Sequence, residues 1–431
     1  MVPSAIATLT KTGLLVENRR QDSDSPVLFV LPVVQSFMQQ HGRIGKEIRQ
    51  NVQLSCSQYV LDHYQNIPAL LLSESERKAL AAEDVNIQAI LCGPPTMQES
   101  NKLSDKSIDA LIAFSWYRCD NAKPNLEIAK HAVSVAKAFG NKRYIASSLW
   151  CLGRTYGYLG EFYAAYDHVR EAYQRYNALL PGNLKLQRLC CQCGIEMVEG
   201  ARVTFKIKDG DKVVSLARDV EKQAATVSDD HTHAQSLMIL GKVLDKFGHR
   251  QEALYHLERA KLMGTLSSNS YYSIAVVHYH EKRLPEALDA AEEAWKLSEP
   301  RNNLVDQAQN SLLLGMILFS LNRDIEAWKY MEISLTKNLE LGNRLDSAST
   351  LEYMGYGYLR RGNYFNAYGA YEAAAESYLG TVDEKRGCTR CKDNMAKIKD
   401  MEKNPVLNVG FDRPRKDINW PSLFYPGAVT V

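Results

Sequence analysis

Between about residues 103 and 400 the apolar positions recur at i, i+3, i+4 and i+7, the spacing of helices that each carry one apolar stripe. One module repeats within this stretch. A large apolar residue precedes a glycine; another large residue follows three positions later, a turn residue seven later and a small residue twelve later. Leu152-Gly153 is followed in this way by Tyr156, Gly160, Ala165 and Ala172. Leu240-Gly241 is followed by Leu244, Gly248, Ala253 and Ala260, and Leu314-Gly315 by Leu318, Asn322, Ala327 and Ser334. Met354-Gly355 is followed by Tyr358, Gly362, Ala367 and Ala374. Ile274-Ala275, through His278 to Ala287 and Ala294, and Trp116-Tyr117, through Ala129 to Ala136, are degenerate copies. A seventh copy begins at Cys193-Gly194, with its second helix near Val213–Ala225 after an insertion. The key positions 117, 153, 194, 241, 275, 315 and 355 are separated by 36, 41, 47, 34, 40 and 40 residues.

Each module reads as helix, turn, helix. The glycine or alanine sits where two helices cross, because a larger side chain would push them apart. One pair cannot bury its own stripe, whereas stacked pairs can. The motif resembles the tetratricopeptide repeat over about Leu103–Lys399. The resemblance implies an all-α, right-handed α-solenoid of about seven helix pairs at 103–400. Most steps exceed the 34 residues of the minimal tetratricopeptide repeat, so longer loops or helices are expected.

Residues 1–92 do not follow this period. Gly13–Asn18 and Val27–Leu31 read as two short strands around the charged turn Arg19–Ser25. Pro32 then opens a helix, Val33–Gln40, since proline is tolerated in a first turn. Further helices are expected at Lys46–Tyr64 and Glu76–Leu91. Ile48, Val52, Cys56, Tyr59, Val60 and His63 would share one face of the first of these. Gly93-Pro94-Pro95 breaks the pattern, and 93–102 reads as a linker. Strand, charged turn, strand, helix is the ending of a winged-helix domain. The segments Leu28–Met38, Tyr59–His63 and Ala79–Leu91, taken with Pro285–Ala290 and Glu352–Gly362, resemble the C-terminal part of fungal NLR-like STAND proteins. Those carry an NTPase, a winged helix and tetratricopeptide repeats. The resemblance implies a partial winged-helix segment, with connecting helices, ahead of the solenoid. It does not carry nucleotide turnover with it. No Gly-x4-Gly-Lys-Ser/Thr loop is present, and Gly42-Arg43-Ile44-Gly45-Lys46-Glu47 has the wrong spacing and no hydroxyl after the lysine. Leu31-Pro32 stands where the family places a nucleotide-sensing histidine.

Composition narrows the function classes. The net charge is +2, from 52 Lys+Arg against 50 Asp+Glu, which gives no footprint for general nucleic-acid binding. No apolar run approaches the ~18 residues of a membrane span. Nine scattered cysteines fit a reducing, cytoplasmic setting better than a disulfide framework. Cys190-Cys191-Gln192-Cys193 and Cys388-Thr389-Arg390-Cys391 contain paired cysteines, but their separation along a solenoid argues for packing over zinc. His231-x-His233 and His278-x-His280 point to different helix faces. No hydrolase or metalloprotease motif occurs, so no enzymatic activity, cofactor or metal is expected. The basic run Lys385–Lys399 reads as a solvated last helix. The tail 401–431 holds four prolines beside Trp420 and Leu423-Phe424-Tyr425. It is expected either to cap the last repeat or to carry a docking motif.

The expected function is that of a non-enzymatic protein-interaction module, the sensor or scaffold region of an NLR-like signalling protein. A regulatory half of a STAND ATPase encoded upstream is the variant of that reading. A co-chaperone adaptor would need a carboxylate clamp with asparagine after the crossing residue. Those positions read Arg118, Arg154, Ile195, Lys242, Val276, Met316 and Tyr356. The concave face is expected to use Arg118, Arg154, Tyr158, Arg188, Lys242, Lys246, Tyr279, Tyr356 and Arg360 as partner-binding residues. Against Glu199, Asp245 and Glu352, its six cations give +3. Arg154, Lys242 and Lys246 are expected to face solvent, because burial without partners is costly. An acidic protein or peptide is the expected partner, self-association is allowed for, and Trp150 and Phe114 are expected to pack between repeats.

Overall fold

The computed structural model describes residues 15–18, 27–30, 46–64, 74–92, 105–120, 124–159, 161–180, 186–264, 267–299, 304–379, 381 and 384–403. The helix expected at 33–40, the glycine-rich turn at 42–45, the linker at 93–102 and the tail from 404 onward lie outside these residues. Strands β1 (Leu15–Asn18) and β2 (Val27–Val30) pair antiparallel, with Leu15 opposite Val30 and Asn18 opposite Val27. A two-stranded ladder alone does not make a winged helix.

Helices α1 (Lys46–His63) and α2 (Glu74–Leu91) follow. The buried line on α1 runs through Ser57 and Val60 to the adjoining Tyr64, while Val52 is 46% exposed. The expected apolar face is therefore rotated by one residue toward the C-terminus. Val60, Tyr64, Leu80, Ile87 and Leu91 enter the same buried cluster as the first solenoid helices. Tyr59 donates to the Ala79 carbonyl at 3.1 Å, and Arg118 of the next helix reaches Asp84 at 2.7 Å. The α1–α2 pair thus continues the stack.

Seven helix pairs follow among the described residues. They are α3 (Asp105–Asp120) with α4 (Leu126–Phe139), α5 (Lys142–Tyr158) with α6 (Phe162–Leu179), and α7 (Gln187–Thr204) with α8 (Gly210–Ala224). Next come α9 (Asp230–Lys246) with α10 (Arg250–Leu262), and α11 (Ser267–His280) with α12 (Leu284–Ser298). The last two are α13 (Leu304–Ser320) with α14 (Asp324–Glu340), and α15 (Arg344–Arg360) with α16 (Tyr364–Tyr378). Helix α17 (Glu384–Lys403) closes the series. A short 3-10 turn, Ile207–Asp209, leads from α7 into α8 within the longest repeat step.

The repeat positions behave as their spacing demands. A Cβ on Gly153 would lie 2.5 Å from Val169, on Gly241 2.6 Å from Leu257, on Gly315 2.7 Å from Met331, and on Gly355 3.1 Å from Tyr371. In all four the opposing residue is sixteen positions later. On Gly194 the neighbours are Tyr173 at 2.9 Å and Val220 at 3.1 Å, because the insertion displaces the second helix. Ala129, Ala165, Ala253, Ala287, Ala327 and Ala367, each twelve positions after a key residue, are wholly buried. Seven positions after it the chain turns in the left-handed region: Gly248 at φ 91°, Lys282 at 62°, Asn322 at 63° and Gly362 at 70°. The following amide bonds back to the preceding helix, as from His249 to Leu244 at 2.8 Å and from Asn363 to Tyr358 at 3.0 Å.

One buried cluster runs from α1 to Tyr353, and a smaller one centres on Tyr371, Tyr378, Cys391 and Ile398. Tyr378 donates to Glu352 at 2.7 Å, and Arg390 of α17 grips the same carboxylate at 2.8 and 2.9 Å. The last helix therefore covers the open end of the stack, and Arg390 is an ion-pair partner instead of a member of a free basic run.

Candidate functional site

The first helix of each pair lines the inner side of the solenoid, and many of its polar residues are buried. On α13 every residue from Val305 to Phe319 is buried, Asp306, Gln307, Gln309 and Asn310 among them. Burial of this kind demands partners, and the chain supplies most of them itself. Arg154 is 2% exposed. Its guanidinium pairs with Glu196 at 2.7 Å and lies 5.1 Å over the Trp116 ring, and Trp150 donates to the other Glu196 oxygen at 2.8 Å. Arg202 grips Glu199 through two bonds of 2.6 Å. Lys246 donates to the Arg202 and Phe205 carbonyls.

The inner helices also meet across successive turns. Lys242 on α9 feels the charges of Glu199 and Arg202 on α7 and of Asp306 on α13. Tyr272 on α11 feels Asp346 on α15 and Arg202 on α7. Tyr279 on α11 hydrogen-bonds Tyr353 on α15. Apart from the link between neighbouring α7 and α9, each of these skips one pair, so the inner face is narrow and folded on itself. Burial pushes the Lys242 ammonium down to about 8, although Glu199 pulls it up and Arg202 adds to the fall. Burial likewise pushes the Tyr272 phenol up, aided by Asp346.

Several expectations about this face change. Arg154 does not face solvent, because Glu196 gives it a buried partner that offsets the cost of burial. Lys242 and Lys246 are both partly buried. Arg118 pairs with Asp84 at 2.7 Å, Arg188 with Asp229 at 2.9 Å, and Arg360 with Asp324 at 3.5 Å. Tyr279 lies 3.4 Å from the Ser320 hydroxyl, and Tyr158 and Tyr356 are half-buried. Four of the six cations, Arg118, Arg154, Arg188 and Arg360, are thus paired with the chain's own carboxylates. Asp84, Glu196, Asp229, Asp306 and Asp324 stand outside the inner-face charge count made from the sequence, because their pairing depends on contacts between helix pairs. His280 also gains an acid, with Asp245 2.8 Å from its Nδ1. Trp150 and Phe114 pack as expected: Trp150 stands edge-on to Trp116 and Tyr176 at 4.9 and 6.1 Å, and Phe114 is fully buried. Burial pushes the Cys190 thiol up to about 11, and Cys388 donates to the Ala375 carbonyl at 3.3 Å. Among the described residues no group of three or more His, Cys, Asp or Glu is placed to hold a metal ion.

Some buried polar atoms have no such partner, among them the Ser270 hydroxyl, His278 Nδ1 and the Gln309 amide nitrogen. Six positions before the crossing residue, α9, α11 and α13 carry Gln235, Asn269 and Gln309. Gln235 is 5% exposed and Gln309 8%. The Gln309 amide nitrogen is buried without a hydrogen-bond partner. Gln309 lies one helical turn from Asp306, whose charge reaches Lys242 across the inner side. The signal is present in the sequence as three carboxamides at one repeat position, and a count of charges alone does not register it.

No family model and no curated protein sequence matches the chain. Solved structures do resemble it. The apo form of the quorum sensor NprR from B. thuringiensis aligns with a TM-score of 0.53 at 13% identity, covering 80% of this chain and 92% of that one. A Rap protein complexed with Competence and Sporulation Factor gives 0.51 at 14% identity, covering 80% and 98%. The apo form of RapI gives 0.50 at 11% identity, covering 80% and 90%. At these identities the likeness is one of fold: a helical repeat solenoid of the tetratricopeptide-like kind. Among the described residues no helix is long and apolar enough to cross a membrane.

Proposed function

We propose that this chain is a non-enzymatic interaction module that receives an extended segment of a protein or peptide along the inner face of its solenoid. The observation that carries the reading is the inner strip of α7 to α15, where buried polar side chains from helices two pairs apart converge. An apolar interior would hold the stack together with less desolvation cost, so this much polarity in one strip points to a surface that meets something polar. The solenoid likeness to a Rap protein complexed with Competence and Sporulation Factor, and to a quorum sensor, supports a ligand-receiving role. The partner's charge is not the selecting feature, because cations that would attract an acidic partner are paired internally.

The resemblance to STAND proteins extends the proposal. In such a protein this module would act as the sensor region beside an NTPase, and reading the genomic sequence upstream in frame for a phosphate-binding loop tests that extension.

The test of the module itself is selection of displayed random dodecapeptides on the purified chain, followed by hydrogen exchange with the enriched peptides. Enrichment of peptides that compete with one another and slow exchange in α9, α11 and α13 is the expected result. No enrichment, or protection confined to the outer helices α10, α12 and α14, would remove the reading.

A further inference from the structure

Where two first helices hand over to their second helices, the chain forms an open cleft of about 460 Å³. It is lined by Arg250, Gln251, His280, Glu281, Lys282 and Arg283. Arg250 and Gln251 begin α10, His280 ends α11, and the last three form the turn into α12. The cleft lies at one edge of the stack, between neighbouring turns, so its role is independent of what the inner face receives.

Its guanidiniums are held by charge but not by hydrogen bonds. Arg250 reaches Asp245 at 3.6 Å and Arg283 reaches Glu281 at 2.5 Å, yet Arg250 Nε and both Arg283 Nε and Nη2 have no hydrogen-bond partner. Exposed Arg323, by contrast, grips Glu326 through bonds of 2.7 and 2.6 Å. The acids at the cleft are already engaged. Asp245 lies 2.8 Å from His280 Nδ1, and Glu281 accepts from Gln251 at 3.2 Å. Because the Arg250 and Arg283 side chains are 42% and 40% exposed, either can turn to a ligand without forfeiting a hydrogen bond. Lys282 adds an ammonium at a backbone cost. Its φ is 62°, at a turn position filled elsewhere by Gly248, Asn322 and Gly362. Helices α10 and α12 both begin here, and neither start has a side-chain cap. Arg250, Lys282 and Arg283 against Asp245 and Glu281 leave +1. Each helix start adds about half a charge, which brings the cleft to about +2.

We infer that this cleft binds a phosphate monoester as its dianion. Guanidiniums match phosphate oxygens in a two-pronged way, and a lysine adds a point charge. A carboxylate brings one charge and two oxygens, fewer than the donors that converge here. The volume falls in the range of small-ligand clefts, about 300–1,000 Å³, so the organic part of the ester has room beside the phosphate. The same dianion is presented by a small phosphorylated metabolite and by a phosphorylated serine side chain.

Calorimetric titration of the purified chain at about pH 7.5, above the second phosphate pKa of about 6, tests the site. The probes are inorganic phosphate, glycerol phosphate and N-acetyl-phosphoserine amide. Saturable one-to-one binding is expected, with a Kd of about 0.1–1 mM for the better ester. Arg250→Met and Arg283→Met are each expected to weaken it about tenfold, and Lys282→Gly about threefold. Lys282→Gly also relieves the turn, so its melting temperature should equal or exceed the parent's. Tighter binding of the phosphoserine amide assigns the dianion to a phosphorylated partner, and tighter binding of glycerol phosphate to a metabolite; either supports the site. No saturable binding of any probe up to about 10 mM would overturn it. So would acetate binding as tightly as phosphate, or affinity unchanged in the arginine variants. Loss of binding only in variants that also lose their circular-dichroism signal, with Lys282→Gly folded and unchanged, would overturn it as well.

Discussion

Helices α13 and α14 form one pair and have 17 residues each. Helix α13 is buried from Val305 to Phe319, whereas α14 buries only Ala327, Met331, Ser334 and Asn338. Even Ile325, an apolar residue on α14, is 85% exposed. The difference is positional. A first helix is enclosed by its own second helix, by the first helices before and after it, and by the narrow inner side. A second helix rests on one layer and faces solvent elsewhere. A polar residue therefore means different things on the two. On the outer layer it is solvated. On the inner layer it must find a partner, and the few that find none become candidates for binding.

The sharpest way to break this comparison is to remove one member of an inner ion pair and one of an outer pair. Arg154→Met leaves Glu196 buried and uncompensated and is expected to cost about 3–5 kcal/mol. Arg175→Met on α6 removes an i,i+4 partner of Glu171 whose side chains are 39% and 41% exposed, and is expected to cost less than about 0.5 kcal/mol. Urea unfolding of both variants measures the gap. Adding Glu196→Leu to Arg154→Met should recover part of the loss, since the pair is replaced and not orphaned. Equal losses in the two single variants would mean that inner and outer layers are not distinct.

Glycines make the same contrast with a smaller effect. A methyl on Gly153 would lie 2.5 Å from Val169 and 2.9 Å from the Ala165 carbonyl, whereas one on Gly369 of α16 meets nothing within 4 Å. Gly153→Ala is expected to destabilise by about 1–3 kcal/mol through overpacking. Gly369→Ala is expected to stabilise by about 0.5–1 kcal/mol, because alanine loses less backbone entropy in a helix. Circular-dichroism melts that shift in the same direction for both would contradict the crossing geometry.

The smallest effect is a pH dependence. Burial lowers Lys242 from the ordinary 10.5 to about 8. Between those values the unfolded chain binds more protons than the folded one, so the Lys242 contribution makes stability rise with pH across that window. Buried Tyr272 and Tyr353 also matter above about pH 10. Their phenols are pushed up by burial and ionise first in the unfolded chain, so they make stability fall as pH rises. The parent is therefore expected to gain on Lys242→Met by about 1 kcal/mol between pH 8 and 10. An unchanged difference between the urea midpoints of the two proteins at those pH values would place Lys242 in solvent.

Much of the fold was legible because its determinants are local and repeat. Gly153, Gly241, Gly315 and Gly355 announce crossings by their size, and Gly248, Asn322 and Gly362 announce turns by their tolerance of positive φ. Lys282 gives no such signal, because a lysine rarely takes the left-handed conformation its register imposes. Seen from the sequence, the inner face looks basic and open. Arg154, Arg188 and Lys242 can be placed on that face by counting, but their carboxylate neighbours cannot.

The sequence by itself determined the period, the crossing residues, the turns and the apolar stripes, since each depends on neighbours within one helix pair. Only the tertiary structure decided how tightly the pairs wind. That angle is the sum of small rotations from pair to pair, set by side-chain packing at every crossing. It alone brings Lys242 under the influence of Asp306 and Tyr272 under that of Asp346. It also closes the inner side until an exposed basic strip becomes a largely paired one, with the Gln309 amide among the groups left over.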